Sequence, residues 1–355
     1  FKAGSENESL KERSVSDLLD ELICKKRGEH TKPEPTSDKI HITTSDLNSF
    51  FTCPRKWILS VILNLKEDTL DTELFTRFDN GNILHKILEL FMREYKGKKL
   101  PVTDENGILG DEQNIKTLIK KCVQKAFLSS DQNFKSSPIA LSVLDSQINS
   151  YTDEITEVLR GFCFPEPVGF GGYIVYDCEA WLNCRAKDKD YYYTGKIDCI
   201  LTDDNGNATI IDYKSSACPA IKDCIVLPDS REPENEKLGN FQMATYITLW
   251  NKNHPQAKIS NACFFSIKDR KFIKIVDENA RPFDPEKRLS AVCPDEYEMT
   301  LKCLESYSDF FAKRIDEKDF SFTDFEIKPY ETCSKCSFKT ICRTTYDVSG
   351  EKAND

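Results

Sequence analysis

The sequence is poor in histidine, methionine and tryptophan, with four, three and three among 355 residues. Four histidines leave little material for a histidine-rich metal centre, so each one is worth placing. No apolar run approaches the length of a membrane span. No secretory leader precedes the first polar stretch, and the chain starts with Phe1 rather than Met. We therefore expect a cytoplasmic piece of a longer protein. No GxxxxGKS/T phosphate loop occurs, which argues against an ATPase motor in this chain. Internal repeats are missing too. Basic residues are outnumbered, 49 Lys and Arg against 59 Asp and Glu, for a net charge of −10. That excludes a protein that coats DNA through a broad positive field. It leaves room for a nuclease, in which acidic metal ligands sit beside a local basic groove.

Cysteine, by contrast, is plentiful. Fifteen are scattered along the chain, an odd number without secretory context, so reduced thiols are expected rather than a disulfide framework. Cys178, Cys184, Cys199 and Cys263 fall in strand-like runs and read as small core residues.

Residues 1–40 are polar, carry the basic cluster Lys25-Lys26-Arg27, and read as a partly disordered linker with one short amphipathic helix at SVSDLLDELICKK. Ordered structure is expected from HITTSDLNSFF, with Ser45 as an N-cap before Leu47, Phe50 and Phe51. FDNGNILHKILELFMREY and much of 113–160 have helical periodicity. The period changes near Gly171: YIVYDCEAWLNCRA, YYYTGKIDCILTD and NATIIDYKS read as three strands. An irregular loop at 217–237 leads to a helix, LGNFQMATYITLW. Two more strands, KISNACFFSI and KFIKIV, and a long helix, PDEYEMTLKCLESYSDFFAKRI, follow. This order predicts an α/β fold with a mixed central sheet flanked by helices.

The densest chemistry lies in TGKIDCILTDDNGNATIIDYKSS, residues 194–216. Asp203 to Asn207, DDNGN, is a strong turn signal, because Asn and Gly accept positive φ cheaply. Pairing of the flanking strands brings Asp198 close to Asp212, and Lys214 shares a face with Asp212. Upstream, GNILHKILE sets His85 and Glu89 on one helical face. By spacing alone, His85 is an ordinary core or surface histidine, and the hairpin is a solvated acidic face.

Taken together and in order, the helical His85, GKID, IIDYK and the helix QMATY resemble the PD-(D/E)XK nuclease superfamily, in its RecB/AddB-like branch. The resemblance spans about residues 42–345 and implies a restriction-endonuclease-like core. It implies that His85, Asp198 and Asp212 bind a divalent metal, with the backbone carbonyl of Tyr213 as a further ligand. It makes Lys214 the catalytic lysine, and places Gln242 and Tyr246 beside the site as a QxxxY helix. Hard oxygen ligands suit Mg²⁺ or Mn²⁺, and the histidine adds preference for Mn²⁺. Glu89 and Glu179 are weaker candidates, and Glu179 reads slightly better as an exposed strand residue.

Near the C-terminus, ETCSKCSFKTICR gives Cys333-x2-Cys336-x5-Cys342, a metal-ligand spacing. The best fourth ligand is Cys53 in FFTCPRKW. Spacing alone suits a structural Zn²⁺ site at least as well as a cluster. The resemblance implies a 4Fe–4S cluster on Cys53, Cys333, Cys336 and Cys342, stapling the two ends of the core.

Local basic groups include Lys116, Lys120, Lys121 and Lys125 on one helix-like run, Arg93 to Lys99 after the His85 helix, and Arg55, Lys56 and Trp57. The first run reads as a solvated face. The others are candidates to touch phosphates and stack on bases. The whole reading is a metal-dependent deoxyribonuclease domain at 41–345, followed by a polar tail at 346–355. It acts as an exonuclease with a helicase subunit or fused helicase domain, on linear DNA ends or single strands, in recombinational repair. The rival readings are a catalytically inactive DNA-binding scaffold, and a stand-alone or CRISPR-type exonuclease of the same superfamily.

Overall fold

Strand β3 (Tyr191–Thr202) organises the molecule because it is long enough to serve three neighbours. The computed structural model describes residues 40–65, 77–129, 138–227, 237–282, 290–321, 333–334 and 336–342. The expected linker and its helix, part of the loop at 217–237, and the polar tail lie outside the described residues.

On one side β3 pairs antiparallel with β2 (Ile174–Arg185) along its length. On the other side its start pairs in parallel with β1 (Ile40–Ile42), and its end pairs antiparallel with β4 (Ala208–Lys214). β4 then runs parallel to β5 (Ile259–Ser266), which turns back into β6 (Lys271–Asp277). The result, among the described residues, is a mixed sheet, as the sequence order predicts, with six strands where the sequence shows five. The turn at 203–207 forms as its residues require. Asp203 Oδ1 accepts the N–H groups of Asn205 and Asn207, and Gly206 takes a φ of 82°.

Helices cover both faces. On one side are α1 (Thr44–Thr52), α2 (Pro54–Trp57), α7 (Gln242–Asn253) and α8 (Glu298–Asp316). On the other are α3 (Arg77–Glu94), α4 (Glu112–Ser129) and α5 (Pro138–Phe162). The short α6 (Ile221–Cys224) and α9 (Lys339–Cys342) complete the set. The central strands feed both cores. Ile210 and Phe264 pack into the first, while Ile211 and Phe265 pack into the second. That explains why these strands read as continuous apolar runs rather than alternating ones.

Three expectations need correction. The N-cap of α1 is Thr43, not Ser45. Its side chain accepts the N–H of Asp46, and the Asp46 carboxylate accepts the N–H of Thr43, a closed capping box. Strand β1, which precedes that cap, was not expected. The helix expected from 238 begins at Gln242, because Asn240 Oδ1 accepts the Gln242 N–H and Asn48 Oδ1 accepts that of Phe241. The four strand cysteines lie in β2, β3 and β5 as free thiols. Cys178, Cys199 and Cys263 are buried, and burial pushes the Cys184 thiol up to about 11.

Candidate active site

The strand pairing of β3 leaves a gap. β1 pairs with Tyr191 to Tyr193, and β4 begins to pair only at Cys199. Residues 194–198 therefore lack a strand neighbour on that side. Helix α7 packs over the gap, and Gly195 lets it approach. A Cβ at Gly195 would stand 2.9 Å from Leu249 Cδ1 and 3.3 Å from the Tyr246 ring. The glycine of GKID is thus a packing requirement set by the QxxxY helix.

Asp198 sits just beyond the last ladder pair of β3 and β4, Cys199 with Ile211. Its Oδ2 accepts the backbone N–H of Tyr213 at 2.9 Å. The same oxygen is 3.6 Å from His85 Nδ1, too far for a hydrogen bond. His85 reaches the sheet from α3, whose Gly81 lies against Ser215: a Cβ there would meet Ser215 Oγ at 2.7 Å, which rotation of that exposed hydroxyl can relieve. The His85 ring also meets the Tyr213 ring edge-on.

Asp212 and Lys214 leave the same face of β4, and Gln242 of α7 joins them. Gln242 Nε2 donates to Asp212 Oδ1 at 2.5 Å, and its Oε1 accepts from Lys214 Nζ at 2.8 Å. The amide orientation follows from its partners, because a carboxylate only accepts and an ammonium only donates. Nε2 also donates to Tyr246 Oη at 3.1 Å. Lys214 Nζ lies 2.8 Å from Asp212 Oδ2 without hydrogen-bond alignment, and that buried oxygen makes no hydrogen bond.

Burial raises the Asp198 carboxyl to about 6, against the pull of the Tyr213 N–H. Burial, then the neighbouring Asp198 charge, raises Asp212 to about 7. The same desolvation lowers His85, which keeps a neutral imidazole with a lone pair to give. Two buried carboxyls that resist ionisation together and a neutral histidine form a donor set suited to a hard divalent cation. Among the described residues, however, no three His, Cys, Asp or Glu side chains gather closely enough to hold a metal ion as they stand.

A cavity of about 590 Å³ opens beside His85 and Asp198, with Asp212 behind its wall; Glu89, Glu179, Lys196 and Ser215 also line it. Glu179 was read as an exposed strand residue, yet it faces this cavity. Its φ of 53° lies in the left-handed region, unusual for a residue with a Cβ inside a strand. An ion pair with Lys196 holds it there. Glu89 is buried and takes Lys86 at 2.9 Å and Arg93 at 2.7 Å. No sequence period signals either role, because a left-handed backbone inside a strand and a cavity wall are tertiary features.

The remaining candidates are dispersed. Lys116 pairs with Glu112, Lys125 with Glu94, Lys96 with Asp177 and Lys99 with Asp204, so these cations face protein carboxylates. Trp57 is 3% exposed and donates from Nε1 to Asp46 Oδ1 at 3.0 Å, so it cannot stack on bases. The C-terminal cysteine segment lies against α2, with Arg55 Nη1 4.0 Å from Cys342 Sγ. Cys53 Sγ accepts the Lys56 N–H, and the Cys336 N–H donates to the Cys333 carbonyl. These thiols share a neighbourhood but do not converge as a ligand set.

A family model described as the PD-(D/E)XK nuclease superfamily matches residues 41–343. A search of curated proteins finds no match.

Proposed function

The chain belongs to the PD-(D/E)XK nuclease superfamily, and we propose that it is a divalent-metal-dependent deoxyribonuclease acting at the Asp198–Asp212 hairpin. The observation that carries this reading is the buried carboxyl pair of Asp198 and Asp212, with Asp212 ion-paired to Lys214 and bridged to it by Gln242. Such a pair, desolvated and mutually repulsive, is stabilised by a cation.

His85, Asp198, Asp212 and the Tyr213 carbonyl would hold Mg²⁺ or Mn²⁺, which when bound neutralises phosphate charge and lowers the pKa of water. The other steps fall to side chains. Lys214, held against Asp212 by Gln242, orients the attacking water. Gln242 fixes Lys214 and Asp212 relative to each other. Tyr246 keeps its proton, since burial and both aspartates hold its hydroxyl far above the ordinary range.

Within the superfamily we place the chain in the RecB/AddB-like branch, with a nuclease domain at 41–345, a preceding linker and a polar tail. Its place is with a helicase, as an exonuclease in DNA-end processing and recombinational repair. The support is the GKID, IIDYK and QMATY order together with the cysteine triplet. The 4Fe–4S cluster on Cys53, Cys333, Cys336 and Cys342, with zinc as the alternative, rests on that triplet and on the approach of Cys342 to Arg55. Joining Cys53 to the triplet closes a loop of roughly 280 residues and would remove on the order of 5 kcal/mol of unfolded-state entropy.

The deciding experiment is cleavage of end-labelled linear DNA by anaerobically purified protein in Mg²⁺, Mn²⁺ or EDTA, with Asp212→Ala alongside. Metal-dependent cleavage lost in the variant is the expected result, and the product ladder gives polarity. Cleavage that survives the substitution would remove the hairpin from the mechanism.

A further inference from the structure

Beyond the cavity, β2 and β3 continue as a sheet face that carries aromatic side chains. Trp181 of β2 is directly opposite Lys196 of β3, and paired residues share a face. Along the same face Asn183 is opposite Thr194, and Arg185 is opposite Tyr192. In the next strand His41 is opposite Tyr192, stacks on its ring at 5.2 Å, and contacts Thr194 Oγ1 through Nδ1 at 3.0 Å. The alternate residues Ala180, Leu182 and Cys184 turn to the other side and pack on the core. Trp181 is 55% exposed, an unusual setting for the largest apolar side chain.

This face is continuous with the cavity, because Lys196 belongs to both. Its charges are already matched: Lys196 pairs with Glu179, and Arg185 approaches Asp190 at 3.7 Å. Around the cavity mouth, Lys86 and Arg93 are likewise paired, with Glu89. A duplex offers phosphates and closed base pairs, which such a surface binds poorly. Unpaired bases expose π-faces on which aromatic rings stack, and a duplex keeps those faces closed.

We propose that the sheet face of Trp181, Tyr192 and His41 is a stacking platform for the bases of single-stranded DNA, whose backbone enters the cavity past Lys196. This rests on the reading of that cavity as a nuclease site, and it names the substrate form. A duplex end would have to fray before its strand could reach the platform.

The three tryptophans make the test direct. Trp57 and Trp250 are 3% and 1% exposed, so fluorescence quenching by added DNA reports Trp181. Oligothymidylate of about 15 nucleotides is titrated into the full chain in EDTA, where no cleavage occurs. Anisotropy of a labelled oligonucleotide gives the Kd for wild type, Trp181→Ala and Trp181→Phe. The expected result is saturable quenching by the single strand and little by a blunt duplex. Trp181→Ala should weaken binding about tenfold, with most of the loss recovered in Trp181→Phe. Absence of binding, binding without quenching, or an unchanged Kd in Trp181→Ala would overturn the platform. Wild-type cleavage of a small phosphodiester, the p-nitrophenyl ester of thymidine 5′-phosphate, in Mn²⁺ is measured separately. Cleavage without quenching removes the platform and leaves the nuclease. Quenching without cleavage removes the nuclease reading and leaves a single-strand binding surface.

Discussion

The Asp198 carboxylate accepts the backbone N–H of Tyr213, 2.9 Å away on the neighbouring strand. One oxygen thereby ties the two halves of the hairpin together just past their last ladder pair. The bond fixes a carboxylate that burial would otherwise drive towards its neutral form. Removal of Asp198 would loosen the hairpin as well as remove a charge. Asp212 is therefore the cleaner site to probe, and the first two predictions turn on it.

Asp212→Asn should stabilise the metal-free protein at pH 8. The folded-state carboxyl is raised to about 7 from an ordinary value near 3.8. A raised carboxyl contributes its stability below the unfolded pKa and loses it as pH rises through the folded value. Wild type should thus lose stability between about pH 4 and pH 7, and the amide should flatten that slope by roughly 1–3 kcal/mol. Thermal melts in EDTA at several pH values measure it. A variant that melts below wild type at pH 8 would contradict the desolvated-carboxyl account.

Divalent cations should bind more tightly as pH rises from about 5.5 to 8, since Asp198 and Asp212 must both release protons first. His85 is held below its ordinary pKa and does not compete by protonation near neutrality. Mn²⁺ calorimetry across that range, with proton release read in two buffers, checks the sign. Affinity independent of pH would place the ion elsewhere.

Lys214→Ala and Gln242→Ala should both lower cleavage, the first by on the order of 10²–10³-fold, the second by less. Gln242 acts through its bonds to Lys214, Asp212 and Tyr246. Gln242→Glu should place a third acid beside the pair and lower the metal concentration needed for half-maximal rate. Single-turnover rates against metal concentration separate the two effects.

Gly195→Ala should cost about 1–3 kcal/mol through the collision of its Cβ with Leu249 and Tyr246. Because α7 also carries Gln242, cleavage should fall with stability. Denaturant midpoints and rates measured on the same preparation test the coupling; a stable but inactive variant would show that α7 moved without loosening the core.

Asp46→Ala should destabilise more than Thr43→Ala, whose loss is about 1 kcal/mol. Both substitutions open the capping box, but Asp46 also accepts the indole N–H of buried Trp57. Chemical denaturation of the pair gives the order directly.

Much of the fold was legible because its periods are local. Ile210 and Ile211, like Phe264 and Phe265, advertise strands buried on both faces, and DDNGN specifies its own turn. The same hairpin brought Asp198, Asp212 and Lys214 into view, since antiparallel pairing around a short turn is fixed by the turn. Local signals also misled where alternatives stood side by side. Thr43 and Ser45 are both fit to cap a helix, and reciprocity with Asp46 made the choice.

What the sequence by itself determined is the order of strands and helices and the chemistry carried on one hairpin. Tertiary structure alone decided the rest, because it depends on neighbours far apart in the chain. It bent Glu179 into the cavity, placed Gln242 between Asp212 and Lys214, and set Gly195 under α7. It also buried Trp57 while leaving Trp181 in solvent. Composition cannot tell two tryptophans apart; only the packing of α1 and α2 against α8, and the open edge of β2, assigns one to the core and the other to the surface.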